Sequence, residues 1–116
     1  MQESIIETKS FQFAIRIVKL YQYLCEEKRE YILSKQLVRC GTSIGANVSE
    51  AQRGQSKPDF YAKIAISLKE ANETRYWIRL LHATEYLSDR VSTLHSVIWR
   101  PATTFSIPML RWASSL

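Results

Sequence analysis

The chain has 116 residues, with sixteen Lys and Arg against eleven Asp and Glu, giving a formal charge of +5. That length suits one compact domain with a single core and leaves no room for a second. Three Gly, three Pro and 46% hydrophobic residues argue against a turn-rich β sandwich or a disordered chain and favour an α-rich fold.

The opening stretch, MQESIIETKSF, carries Glu3, Glu7 and Lys9 and lacks the basic region and apolar run of a signal peptide. Nowhere do about 18 uncharged apolar residues follow one another, as a bilayer span requires. A cytoplasmic protein with no membrane partner is therefore expected. In that compartment Cys25 and Cys40 are expected as small reduced core residues rather than a disulfide.

From Phe11 to Cys25, steps of about 100° per residue gather Phe13, Ala14, Ile17, Val18, Leu20, Tyr21, Leu24 and Cys25 on one arc. Gln12, Arg16, Lys19, Tyr23, Glu26 and Glu27 fall opposite, so the segment reads as an amphipathic helix. EEKRE (residues 26–30) reads as its solvated end or the turn that follows.

A second helix is expected from Ser34 to Arg53, with Leu37, Cys40, Ile44, Val48 and Ala51 in one stripe and Lys35, Arg39, Ser43, Asn47, Glu50 and Arg53 opposite. Within it lies CGTSIGANVSEA, whose two glycines raise the question of a phosphate-binding loop. Such a loop ends in Gly-Lys-Ser/Thr, whereas Gly45 is followed by Ala46 and Asn47. A helix-turn-helix would break the apolar phase at its turn, and here the phase runs unbroken from Leu37 to Ala51. Gly41, Gly45 and Ser49 instead form a smooth ridge that lets a neighbouring backbone come close. Each helical glycine costs roughly 1 kcal/mol relative to alanine, so the packing must offset that.

RGQSKPDF marks the next boundary. Gly54 suits the end of one helix, Ser56 the cap of another, Pro58 its first turn, and Asp59 the positive helix end. A third helix is expected from Lys57 to about Thr84, roughly 40 Å long at 1.5 Å per residue. Phe60, Ile64, Leu68, Ala71 and Ile78 form one stripe, and Ile66, Trp77 and Leu81 a second about 100° away. A helix apolar on two sides is usually buried on two sides, so Ile66, Trp77 and Leu81 are expected at an interface with another copy. Val91, Leu94 and Ile98 predict a short fourth helix, ended by Pro101. The chain thus divides into a bundle over residues 1–100 and an irregular tail over 101–116.

No catalytic or metal site emerges. A carboxylate-bridged dimetal bundle needs Glu-x-x-His pairs, but Arg79 and Ser92 stand three residues before His82 and His95. The two Cys and two His match no zinc spacing, and ion pairing with Arg39, Arg75 or Lys69 is the expected role of Glu50, Glu70 and Glu73. No cofactor is expected, and no enzymatic activity. For phosphate contacts the outward basic residues are Arg16 and Lys19 on the first helix, Lys35, Arg39 and Arg53 on the second, and Lys63 on the third; such contacts need positive charge within reach and are sequence-blind.

FAIRIVKLYQYL, QLVRCGTSIGANVSEA and DFYAKIAISLKEANETRYWIRLL together resemble the four-helix-bundle proteins encoded in intervening sequences of bacterial 23S rRNA genes, over roughly residues 8 to 98. The resemblance implies an all-α, up-down antiparallel four-helix bundle, commonly assembled as a ring of five. A relative in diversity-generating retroelements is a basic accessory that binds a reverse transcriptase and nucleic acid, so RNA, DNA or such a protein are the partners it implies besides self. From Trp99 onward, WRPATTFSIPMLRWASSL departs from the family and resembles an out-of-frame ending, which implies a truncated fourth helix. The expected function is a non-enzymatic, homo-oligomeric accessory or scaffold associated with nucleic acid; the alternative is a protein-protein adaptor that binds none.

Overall fold

The computed structural model describes residues 4–87. Within them are three helices, α1 (Ile5–Glu26), α2 (Leu33–Gln52) and α3 (Lys57–Ala83), and α2 packs against both neighbours. The expected fourth helix and tail lie outside the described residues, so an all-helical fold is established and a fourth bundle member is not.

The helix ends follow from local chemistry. Helix α1 begins six residues earlier than its apolar arc implied because Ser4 caps it, accepting the Glu7 N–H at 3.2 Å, with Glu7 in the first turn. This is the Ser-x-x-Glu arrangement that favours a helix start. Helix α3 starts as its sequence predicts, with the Ser56 hydroxyl accepting the Asp59 N–H at 3.2 Å and Pro58 in the first turn. Gly54 follows the end of α2 as expected, its N–H donating to the Ala51 carbonyl at 3.1 Å, although no glycine adopts positive φ. The left-handed positions after the helices fall to Arg29 (φ 53°) and Glu85 (φ 69°). Their following amides reach back to the Leu24 and Leu81 carbonyls, at 3.0 and 2.9 Å, which satisfies helix-end acceptors.

The core is a set of seams with alternating three- and four-residue spacing. On α1 the seam runs through Ser10, Phe13, Ile17, Leu20 and Leu24, with Glu7 also buried in the first turn, and on α3 through Ile64, Ser67, Ala71, Thr74, Ile78 and Leu81. On α2, Ser34, Leu37, Gly41, Ile44, Val48 and Ala51 follow the same rhythm, with Cys40 beside them. That period matches the ridges-into-grooves packing of nearly antiparallel helices. Hydroxyls inside the seams are satisfied by carbonyls: Ser10 donates to Glu7 (3.0 Å), Ser34 to Glu30 (2.7 Å), Ser67 to Ile44 (3.1 Å) and Thr74 to Glu70 (2.7 Å).

The glycine ridge is where α1 and α2 meet. A Cβ at Gly41 would stand 2.7 and 2.9 Å from the γ carbons of Ile17, and one at Gly45 would stand 3.1 Å from the Ser10 carbonyl oxygen. Residue numbers rise along α1 as they fall along these α2 contacts, so the pair is antiparallel. Close packing, not ligand binding, accounts for the two glycines. Cys40 is fully buried, and burial pushes its thiol up, as suits a core cysteine.

Candidate interaction surfaces

Each surface is built from what the seams leave outside. Facing α2 at the turn after α1, four residues of the EEKRE run are solvated as expected, but Glu30 is buried. Its carboxylate accepts the N–H groups of Ile32 (3.1 Å), Leu33 (2.7 Å) and Ser34 (2.8 Å), capping α2. Burial pushes its carboxyl up, yet the donors from Leu33, Ser34 and Ile32 outweigh it and hold it below the usual carboxylate range.

The six basic residues selected for phosphate contact do not converge. Arg39 is bonded to Glu73 and stands 3.7 Å from Glu70, so its charge is largely matched across α2 and α3. Arg53 donates to Glu7 at 2.8 Å and to the Ser49 carbonyl and hydroxyl at 2.9 Å. Arg53 holds the Glu7 carboxyl below its ordinary value. Lys63 lies 3.5 Å from Glu50. Arg16, Lys19 and Lys35 are exposed. Because Ile17 meets Gly41 and Cys25 lies 3.8 Å from Ser34, Lys19 and Lys35 share the half of the molecule near the α1–α2 turn. Arg53 and Lys63 occupy the other half.

The expected interface residues separate. Leu81 is fully buried inside the chain's own core, so no second copy reaches it, and its assignment to an interface is corrected. The error has a physical origin: Ser67 and Thr74 are polar yet lie in the α3 seam, so apolar residues alone make the buried arc look too narrow. Trp77 is partly buried against the core and stands edge-on to Tyr76, with centroids 5.1 Å apart. Ile66 remains 42% exposed, and Tyr76 on the same outer side is 57% exposed.

An apolar surface that the periodicity did not select lies on α1. Phe11, Ile15 and Val18 are 66%, 42% and 37% exposed, opposite the α1 seam, although Val18 was expected on the buried arc. Their i, i+4, i+7 spacing was readable as a second stripe. Beside them a groove of about 310 Å³ runs along the α1–α2 junction, lined by Glu7, Phe11, Ala14, Thr42, Gly45, Ala46 and Ser49. A second depression, about 430 Å³, lies at the end of α3 among Tyr76, Arg79, Leu80, His82 and Ala83. Among the described residues, no three His, Cys, Asp or Glu form a metal-holding group. No described helix is long and apolar enough to cross a membrane.

Residues 2–98 match the family described as 23S rRNA-intervening sequence protein. The chain belongs to this family. A crystal structure of a protein of unknown function from the S23 ribosomal protein family of Bacteroides thetaiotaomicron is similar to this family member at 43% identity. It superposes with a TM-score of 0.82 over 96% of each chain. No curated protein matches the sequence. The family and the helical fold are thus assigned together, while the family name describes where such genes lie and carries no activity.

Proposed function

We propose that this 23S rRNA-intervening sequence protein is a non-enzymatic, homo-oligomeric helical bundle serving as a nucleic-acid-associated accessory or scaffold. The observation that carries the reading is the division of its outer surface. Helix α3 turns Ala62, Ala65, Ile66, Lys69, Asn72 and Tyr76 to solvent, a face smooth enough for another helix to approach. In a ring of five this face of one copy meets a different face of the next, with Lys69 as an exposed charge upon it. Ile66 is its apolar anchor.

The positive charge left outside ion pairing with Glu7, Glu50, Glu70 and Glu73 includes the exposed Lys19 and Lys35. In an assembly these recur once per subunit, and the ring of five that the resemblance implies makes weak phosphate contacts multivalent. RNA or DNA, and a reverse transcriptase as protein partner, are the ligands this reading favours.

Binding of labelled RNA and DNA duplexes across a salt series tests it. Affinity should fall steeply with salt, and Lys19→Glu with Lys35→Glu should lower it further and flatten the slope. Salt-independent binding, or none at low salt, refutes the nucleic-acid role. The adaptor reading is favoured by a different observation, the apolar α1–α2 groove.

A further inference from the structure

Nucleic-acid binding leaves the α1 stripe unexplained. Phosphate contacts use charge, whereas Phe11, Ile15 and Val18 expose hydrocarbon to water on the side of α1 away from its seam. Beside them, Gly45 lies close to the α1 backbone at Ser10, and with Ala46 it gives the adjoining groove a floor of small residues. A trough between two antiparallel helices, walled by an aromatic ring and floored by small residues, has the shape that receives the apolar face of an amphipathic helix.

The surrounding charge selects the occupant. Lys19 lies one turn from Ile15, Lys35 two turns from Thr42, and both are exposed. Glu7, the acid in the groove lining, is paired with Arg53 at 2.8 Å. Glu26 lies one turn past Gln22, at the last residue of α1. A second copy docked groove to groove would set Lys19 and Lys35 against their own like charges, which is unfavourable; contact with a different face of a copy is read by the sedimenting mass of Phe11→Ser. The chain's own segment after Leu87 holds one acid, Asp89, against Arg90, Arg100 and Arg111, so it offers no complement either.

We propose that the α1–α2 groove docks an acidic amphipathic helix of another protein, with its apolar anchors on Phe11, Ile15, Val18 and Ala46 and its carboxylates facing Lys19 and Lys35. This deepens the adaptor reading and does not depend on nucleic-acid binding.

The full-length protein is titrated with two labelled model peptides of about 18 residues, long enough to be helical. They share leucines at i, i+3, i+4 and i+7 and carry either Glu or Lys at the polar positions. Fluorescence anisotropy should show the Glu peptide binding at least about tenfold more tightly than the Lys peptide. Backbone amide shifts in the unmodified protein should move along residues 11–18 and 42–49, a readout that needs no variant. Phe11→Ser and Ile15→Ser, both at exposed positions, should each weaken the Glu peptide by about tenfold and leave RNA affinity unchanged. Lys19→Glu should weaken the Glu peptide too. Equal binding of both peptides, no binding, shifts elsewhere, or unchanged affinity in Phe11→Ser overturns the proposal. So does tighter binding to phosphatidylglycerol vesicles than to the Glu peptide, or a fall in sedimenting mass in Phe11→Ser, which would assign the face to a lipid surface or a second copy. Loss of the peptide result with RNA binding intact removes this inference and leaves the nucleic-acid reading standing.

Discussion

Replacing Gly41 with alanine sets two effects against each other. In an open helix the change gains about 1 kcal/mol from propensity. Here the new methyl carbon would stand 2.7 Å from one γ carbon of Ile17 and 2.9 Å from the other. Ile17 is fully buried, and its branched side chain has little rotamer freedom within a helix. Overpacking of this kind costs about 1–3 kcal/mol, so the contact should outweigh the propensity gain and Gly41→Ala should be destabilising. A partner variant isolates the cause. Ile17→Ala alone should cost about 2–5 kcal/mol by leaving a cavity. In its presence Gly41→Ala should cost far less or become neutral, because the two γ carbons are gone, only the residue-17 Cβ remains close at 3.2 Å, and the added methyl fills part of the void. Urea unfolding followed by circular dichroism, at one fixed protein concentration, gives each free energy and hence the coupling. If Gly41→Ala stabilises by the full propensity term, or if the two changes are additive, the close approach of α1 and α2 at this position is wrong.

Glu30 provides a pH signature. Its folded carboxyl is held below the ordinary range, so its contribution is present above the unfolded pKa and lost as pH falls through the lowered folded value. The unmodified protein should therefore lose stability on acidification below about pH 5 more steeply than Glu30→Gln, as read by thermal melts across pH; parallel acid limbs would contradict the capping role. Arg29 holds a left-handed backbone with a side chain attached. Arg29→Gly should raise stability by up to about 1 kcal/mol by removing that steric penalty, and a lowered melting temperature would count against it.

Much of the fold was legible because apolar spacing and start signals agreed. Ser56, Pro58 and Asp59 marked the start of α3 correctly, and the glycine ridge announced close packing before Ile17 and Ser10 were known to be its partners. The first turns of α1 were missed where capping by Ser4 and Glu7, rather than hydrophobic period, determines the start. Outer surfaces were less legible for a related reason. Ser67 and Thr74 occupy seam positions because their hydroxyls find carbonyls inside the bundle, which hydropathy does not register. That displaced Leu81 to the outside in the sequence reading and concealed how far the buried arc extends. Ion pairs joining residues distant in sequence, Arg53 with Glu7 and Arg39 with Glu73, likewise decide which cations remain unmatched, and no local pattern encodes them.

Sedimentation velocity on the purified protein, beside Ile66→Lys and Phe11→Ser, tests most directly whether the outer face of α3 joins copies of this chain. The account predicts a species several times the 13.5 kDa chain mass, collapsing in Ile66→Lys and unchanged in Phe11→Ser. A single species at the chain mass, or an assembly indifferent to Ile66→Lys, would contradict it.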